Sequence, residues 1–372
     1  MTTPHWMIYG ANGYTGELTA QEAKRRGLAP ILAGRNRESI EALGRELDLP
    51  TRVIGLEKPK ALERSLQDVD LVLHCAGPFV RTSPPMLEAC LTTGTHYLDI
   101  TGEITVFESV MPLDGEAKAV GVVLLPGVGF DVVPTDCLAA SLAEALTDAT
   151  HLELAFAASG GSVSRGTLKT MLEGLPGADA VRKNGKITPV PLAFDTKVIE
   201  FSCGKRWAMT IPWGDVSTAF HSTGIPNIRV YSGQSPRAIR RARRLRSLLP
   251  LVGLKAVKRL LQWHVGRTVT GPDQATRDST RTFIWGTVAN AAGERVTGTL
   301  ETPEGYAFTV LSAVECARRV LGGAVAPGAW TPSRAFGSGF AGELPGVTVG
   351  ELVRSGPEEN REPGSLHRRN RR

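Results

Sequence analysis

The stretch Trp6-Met7-Ile8-Tyr9-Gly10-Ala11-Asn12-Gly13-Tyr14-Thr15-Gly16 decides the fold. An apolar run ends in three glycines spaced three apart, and a helical pattern follows from Glu17. The first glycine permits a tight turn out of a strand. The second lets the backbone approach a pyrophosphate. The third lets a helix pack closely on the strand, with its first N–H groups aimed at the phosphates. The spacing is G-x-x-G-x-x-G and not the stricter G-x-G-x-x-G, so an ordinary glycine-rich turn is the competing reading and the neighbouring sequence has to decide.

The neighbours support a dinucleotide turn. Ile31-Leu32-Ala33-Gly34-Arg35-Asn36 reads as the second strand and its end. Folds that prefer NAD place an acid there for the ribose 2′-hydroxyl, whereas those that accept NADP often place an arginine for the 2′-phosphate. Here Gly34 leaves room, Arg35 supplies a planar fork of donors, Arg37 adds charge, and the nearest acid is Glu38. The expected cofactor is NADP(H) in preference to NAD(H). Its contacts are expected from Gly10, Ala11, Asn12, Gly13, Tyr14, Thr15, Gly16, Arg35 and Asn36. Ala76, Gly77 and Pro78, beyond the fourth strand, are expected beside the nicotinamide half.

With 372 residues the chain is long enough for about two domains, and an apolar fraction of 42% supports a core. The N-terminal residues carry no leader pattern and no run suits a membrane span, which points to a cytoplasmic protein. Five cysteines without C-x-x-C pairing suit reduced thiols. No cluster has metal-ligand spacing, so no metal is expected. The net charge of +6 is local: Pro236 to Arg267 holds ten Lys and Arg and no acid. It describes a patch, not a nucleic-acid-binding protein.

Strand-like runs at Met7–Gly10, Ile31–Ala33, Thr51–Gly55, Leu71–Cys75, Tyr97–Ile100 and Val122–Leu125 alternate with helical patterns, among them Gly16–Arg26, Glu38–Leu47, Pro59–Gln67 and Pro84–Thr93. Alternation of this kind predicts an α/β Rossmann fold with a doubly wound parallel sheet. After Pro126 the rhythm changes to longer alternating segments, His151–Ala157, Thr196–Phe201, Arg206–Ile211, Ile228–Tyr231, Phe283–Asn290 and Arg295–Thr302. They predict a second α+β domain with a mostly antiparallel sheet. The expected division is 1–128 plus about 306–355 for the nucleotide domain and 129–305 for the second, with a disordered tail over 356–372. The basic insert, 236–267, reads as two amphipathic helices. They either pack on their own domain with a solvated rim or offer a surface to an anionic membrane at the inner face or to an acyl carrier.

The chain resembles the saccharopine dehydrogenase-like oxidoreductases, and within them the bacterial trans-acting enoyl reductases. The resemblance rests on Tyr9 to Gly16, Ala33-Gly34-Arg35, Cys75 to Phe79, Tyr97 to Glu103, Pro126 to Asp136, Ser164 to Thr167, Pro212 to Ala219, Gly271-Pro272 with Arg277, and Thr331-Pro332 with Gly337. It implies NAD(P)H-dependent hydride transfer. The branch implies reduction of an enoyl C=C bond on a lipid or polyketide chain, free or carrier-linked. Saccharopine-like C–N chemistry and a membrane-peripheral nucleotide-binding protein without turnover stay open, as does a homodimer. No Tyr-x-x-x-Lys pair and no G-x-S-x-G elbow is present, which excludes short-chain dehydrogenase and serine hydrolase chemistry. Tyr97, Glu103 and Asp131 are the candidate catalytic residues. Glu103 either orients a nicotinamide or substrate amine, or stands at a helix dipole. Ser164, Arg165 and Thr167 are the candidate substrate contacts, at a helix start that they bind through or merely cap.

Overall fold

A computed structural model describes residues 5–160, 168, 179–246 and 271–356. The strands of the first sheet are β1 (Trp6–Tyr9), β2 (Ile31–Gly34), β3 (Thr51–Val53), β4 (Leu71–His74), β5 (His96–Asp99), β6 (Val123–Leu125) and β15 (Gly328–Ala329). The seven lie in the order β15-β6-β5-β4-β1-β2-β3. Every pairing among them is parallel. β1, β2 and β4 are buried throughout, as an apolar parallel strand covered on both faces must be. Strand order reverses between β1 and β4, and a dinucleotide binds at such a switch point. This is the predicted doubly wound sheet.

Helices α1 (Tyr14–Arg25), α2 (Arg37–Leu47), α3 (Pro59–Arg64), α4 (Phe79–Thr93), α5 (Ile104–Val110) and α6 (Asp114–Val120) cover the sheet. Helix α4 starts five residues earlier than the sequence pattern predicts, because Pro84 and Pro85 lie within its first two turns and do not begin it. Helices α5 and α6 have no counterpart in the predicted elements; at seven residues each they are too short to show an amphipathic period.

The second sheet is built from β7 (His151–Ala158), β8 (Asp179–Lys183), β9 (Lys186–Val190), β10 (Thr196–Phe201), β11 (Gly204–Thr210), β12 (Asn227–Gly233), β13 (Arg281–Ala289), β14 (Arg295–Pro303), β16 (Thr348–Val349) and β17 (Val353–Ser355). It runs β10-β11-β12-β7-β13-β14-β16, with β17 also on β14 and a β8–β9 hairpin on β12. All pairings are antiparallel except β12 with β7. Helix α7 (Val133–Ala145) seats Leu138 and Leu142 on the cross-strand pair Gly286 and Gly298, where a Cβ would fall 2.8 Å from Leu142 and 3.0 Å from Leu138. Two glycines in facing strands thus make the groove that holds the linking helix.

Between the strands of this sheet lie α8 (Asp215–Thr223), α9 (Pro236–Leu245) and α10 (Gln274–Ser279). Helix α11 (Gly305–Leu321) returns to the first sheet and packs on α1, with Arg26 3.6 Å from Glu315; the short α12 (Pro332–Phe336) follows. Residues 348–355 differ from the expected division: they pair with β14 and not with the nucleotide domain. The otherwise open edge of β14 takes them up because its unpaired N–H and C=O groups need partners. No helix among the described residues is long and apolar enough to cross a membrane.

The third turn glycine carries the helix–strand approach. A Cβ on Gly16 would lie 2.2 Å from the Gly10 carbonyl oxygen, whereas one on Gly115 in α6 meets nothing within 4 Å. Urea unfolding should show Gly16→Ala destabilised by about 1–3 kcal/mol through overpacking, with Gly115→Ala neutral or slightly stabilised.

Candidate active site

The turn after β1 is built by backbone bonds and missing side chains. The N–H groups of Gly10 and Ala11 both donate to Ala33 O, at 2.7 and 3.1 Å. Gly10 has φ +82°, and a Cβ there would lie 2.7 Å from Ala76 Cβ and 2.9 Å from the Ala76 nitrogen. The loops after β1 and β4 therefore touch at this glycine. Gly13 is the N-cap of α1 and no side chain caps the helix. Its first-turn N–H groups lack intrahelical acceptors, which together with the dipole makes an anion site. Gly34 gives room to Asn12, whose Oδ1 would lie 3.0 Å from a Cβ there.

Beyond β2, Arg35 is exposed and makes no hydrogen bond or ion pair among the described residues. The Asn36 side chain serves its own helix, capping α2 by accepting from Ser39 N at 3.1 Å. Arg37 pairs with Glu41 at 2.7 Å on the same helix.

A second helix starts at the switch point, and its end is filled. Phe79 N and Val80 N, the first amides of α4, donate to Glu103 Oε1 and Oε2 at 2.7 and 2.8 Å. Glu103 is thus a carboxylate on a helix dipole, but on α4 and not on α5, the helix it precedes. Ala76 and Pro78 are held by Thr82, whose hydroxyl donates to the Ala76 carbonyl at 2.6 Å. His74 donates from Nε2 to Thr82 Oγ1 at 3.0 Å, between the rings of Tyr9, Phe79 and Tyr97. Burial pushes its pKa down to about 3, so it is a neutral core histidine.

Tyr97 does not face the cleft. It is fully buried in the core and gives its hydroxyl proton to Asp99 Oδ2 at 2.7 Å. Asp99 Oδ1 accepts from Thr101 N and Gly127 N, at 3.0 and 2.9 Å, which clasps the ends of β5 and β6. Burial raises its pKa to about 6. A strand-end tyrosine and acid look catalytic in sequence; here each satisfies the other in the interior.

Asp131 is different. It follows β6 and abuts the loop after β5, where a Cβ on Gly102 would lie 2.6 Å from its Oδ2. It makes no hydrogen bond among the described residues and stays partly open, yet burial of its surroundings raises its pKa to about 7. Asp215 lies near enough to couple with it and is itself raised well above the carboxylate range, by burial first. Thr135 donates to Asp215 Oδ2 at 2.8 Å, while Oδ1 is buried without a partner. Asp136 belongs to the fold: Ser222 Oγ and Ser333 N donate to it, at 2.5 and 2.8 Å. Phe130, which precedes Asp131 in the chain, forms an aromatic run with Phe156 and Trp213, with centroids 5.8 and 4.7 Å apart. Trp213 Nε1 is buried without a partner. The sequence does not mark Asp215 as chemistry, because only the packing of α8 brings it to Asp131.

The glycine turn is also tied to the second half of the chain. Tyr14 donates to Pro272 O at 2.5 Å and accepts from Arg277 at 2.9 Å. Gly271, at φ +93°, leaves space for the Tyr14 ring, which packs edge-on to Tyr306 at 5.0 Å. The hydroxyl of Tyr14 is therefore committed to this latch. Ser164, Arg165 and Thr167 lie outside the described residues, as do 247–270 of the basic insert and 357–372 of the tail. One groove among the described residues lies away from the turn, on the second sheet, lined by Lys197, Ile199, Trp285, Thr297, Thr299 and Val353. Lys197 is held there by Glu153, so the groove adds no free reactive group to the site.

This geometry agrees with the comparisons to known proteins. The saccharopine dehydrogenase NADP binding domain family matches residues 6–125. The chain is 36% identical over 138 residues to the trans-acting enoyl reductase of Mycobacterium leprae, a match covering 35% of this chain and 33% of that protein. It is 28% identical over 152 residues to the saccharopine dehydrogenase-like oxidoreductase of Bos taurus, covering 36% and 35%. The matched part thus spans about a third of these relatives' length. Among solved structures, apo saccharopine dehydrogenase (L-Glu forming) from Saccharomyces cerevisiae superposes with TM-score 0.63 at 12% identity, over 95% of this chain and all of that one. Homospermidine synthase from Legionella pneumophila, in complex with NAD, gives 0.62 at 10%, over 98% and 94%. These two likenesses show that the whole saccharopine dehydrogenase-like architecture is shared.

The Asp131 carboxyl should leave a signature in stability. Its folded pKa lies above the unfolded value, so folding is penalised as the group ionises, and stability falls as pH rises from about 4 to about 7. Urea unfolding across that window should show the loss, and Asp131→Asn should lessen it. Asp99 keeps its own part of the slope, since its pKa is also raised.

Proposed function

We propose that this chain is an NADPH-dependent oxidoreductase that reduces an enoyl C=C bond on an acyl chain, free or carried as a thioester by an acyl carrier. The supporting observation is the contrast at the switch point. The N-terminus of α4 holds the Glu103 carboxylate, while that of α1 carries no cap and is lined by glycines. A pyrophosphate fits the second end and not the first. The unpaired guanidinium of Arg35 fits a ribose 2′-phosphate, which favours NADPH over NADH. The name of the domain family and those of the enoyl reductase relatives support the same reading.

Bound there, NADPH supplies a hydride. The chain's own residues do the rest. Asp131, with a pKa of about 7, keeps a substantial protonated fraction near neutrality and supplies the proton that a reduced double bond requires. Asp215 beside it is itself held protonated, by burial first. Trp213 Nε1–H, buried without a partner, is a donor for the carbonyl oxygen of the substrate. Phe130, Phe156 and the Trp213 ring exclude water and give an acyl chain an apolar wall.

NADPH oxidation should proceed with an enoyl thioester and not with an amino acid plus a keto acid; the reverse result replaces C=C by C–N chemistry. Asp131→Asn should lower kcat by about 10²- to 10⁴-fold with NADPH affinity intact. Arg35→Ala should weaken NADPH binding by roughly 1–3 kcal/mol, measured by cofactor fluorescence, and leave NADH binding little changed. Equal losses for both cofactors would remove the 2′-phosphate role.

A further inference from the structure

The described half of the basic insert has an orientation that the function above does not use. Helix α9 is capped by Ser235, which accepts from Ala238 N at 3.2 Å, and it buries Ile239. Its C-terminal end is pinned by Arg246, which donates to Leu192 O and Ala193 O at 2.6 and 2.7 Å. Midway, Arg243 donates to Thr196 Oγ1 at 2.9 Å. Just before the helix, Gln234 N donates to Trp207 O at 2.7 Å. These bonds lay α9 along the β10–β11 hairpin, on the face that carries Thr196.

That same face carries an exposed apolar pair. Val198 lies two residues from Thr196 and pairs directly with Trp207 across the hairpin, so both side chains share Thr196's side of the sheet. Val198 is 47% exposed and Trp207 46%. Leu245, at the end of α9, is 42% exposed. On the helix, Arg237, Arg240 and Arg241 are exposed and make no hydrogen bond or ion pair among the described residues. The nearest acid on the hairpin face is Glu200, opposite Lys205 at its tip.

We propose that α9 and the β10–β11 hairpin form a docking face for an anionic lipid bilayer, with Trp207 and Val198 as the apolar anchor. A bilayer answers a field of one sign and shallow apolar side chains without requiring a matched register of contacts. Arginines of α9 supply the field, and no acid interrupts the helix and its C-cap, from Pro236 to Arg246. A tryptophan beside them is the residue type that settles at headgroup depth. The proposal does not depend on the reaction.

The test is sedimentation of the full chain with phosphatidylcholine vesicles, with and without a third of phosphatidylglycerol. Wild type should sediment only with the anionic vesicles, and less at high salt. Arg237→Glu/Arg240→Glu/Arg241→Glu should weaken binding by about a hundredfold, at about fivefold for each arginine. Trp207→Ser should weaken it several-fold at unchanged charge, and bromolipid quenching of wild-type fluorescence should fall in that variant. All substituted residues are exposed, so the thermal unfolding midpoints should match wild type. Failure of wild type to sediment overturns the proposal, as does wild-type binding in either variant. Loss in the arginine variant alone, with no bromolipid quenching, also overturns it and points to an acidic protein surface.

Discussion

The approach of the β4 loop to Gly10 is the constraint on which the site depends. With a Cβ at that position 2.7 Å from Ala76, the two loops could not meet at the switch point. Their contact sets where α1 and α4 begin. Gly16 then lets α1 lie against the same carbonyl that Gly13 N bonds at 3.0 Å. Three absent side chains thus create one helix end that is close to the sheet and open to an anion.

Two helix N-termini at one crevice pose an electrostatic problem, since both attract negative charge. The protein answers it within its own chain by placing Glu103 on α4, where its two oxygens satisfy two amides. The other end is left for a ligand. Carboxylates nearby sort by the same physics. Asp99 and Asp136 are buried and fully bonded, so they hold strand and helix ends together. Asp131 makes no bond among the described residues and stays partly open, and burial of its surroundings raises its pKa to about 7. The proton donor that we propose is thus an acid to which the described fold gives no hydrogen bond.

The nucleotide half is joined to the second sheet by contacts of two kinds. Helix α7 sits on the Gly286–Gly298 pair, an apolar seat that fixes the sheet relative to the turn. Tyr14 adds a polar latch to Pro272 and Arg277, from a residue inside the glycine turn itself. A position read as a cofactor contact is therefore also a link between the two sheets.

Much of this was legible in the chain because it is local. Period-two and helical patterns, the glycine spacing and Arg35 at a strand end depend on a few consecutive residues, and they specified the parallel sheet, its turn and the antiparallel second sheet. The β8–β9 hairpin could also have been read. Asn184-Gly185, at φ +49° and +77°, is the turn signal that calls for two strands around it. What consecutive residues cannot carry is which buried polar group meets which. Tyr97 with Asp99, Glu103 with the α4 amides, Asp215 with Asp131, and residues 348–355 with β14 are decided by desolvation and by the need to satisfy every buried polar atom. Those requirements arise only once the chain has closed on itself.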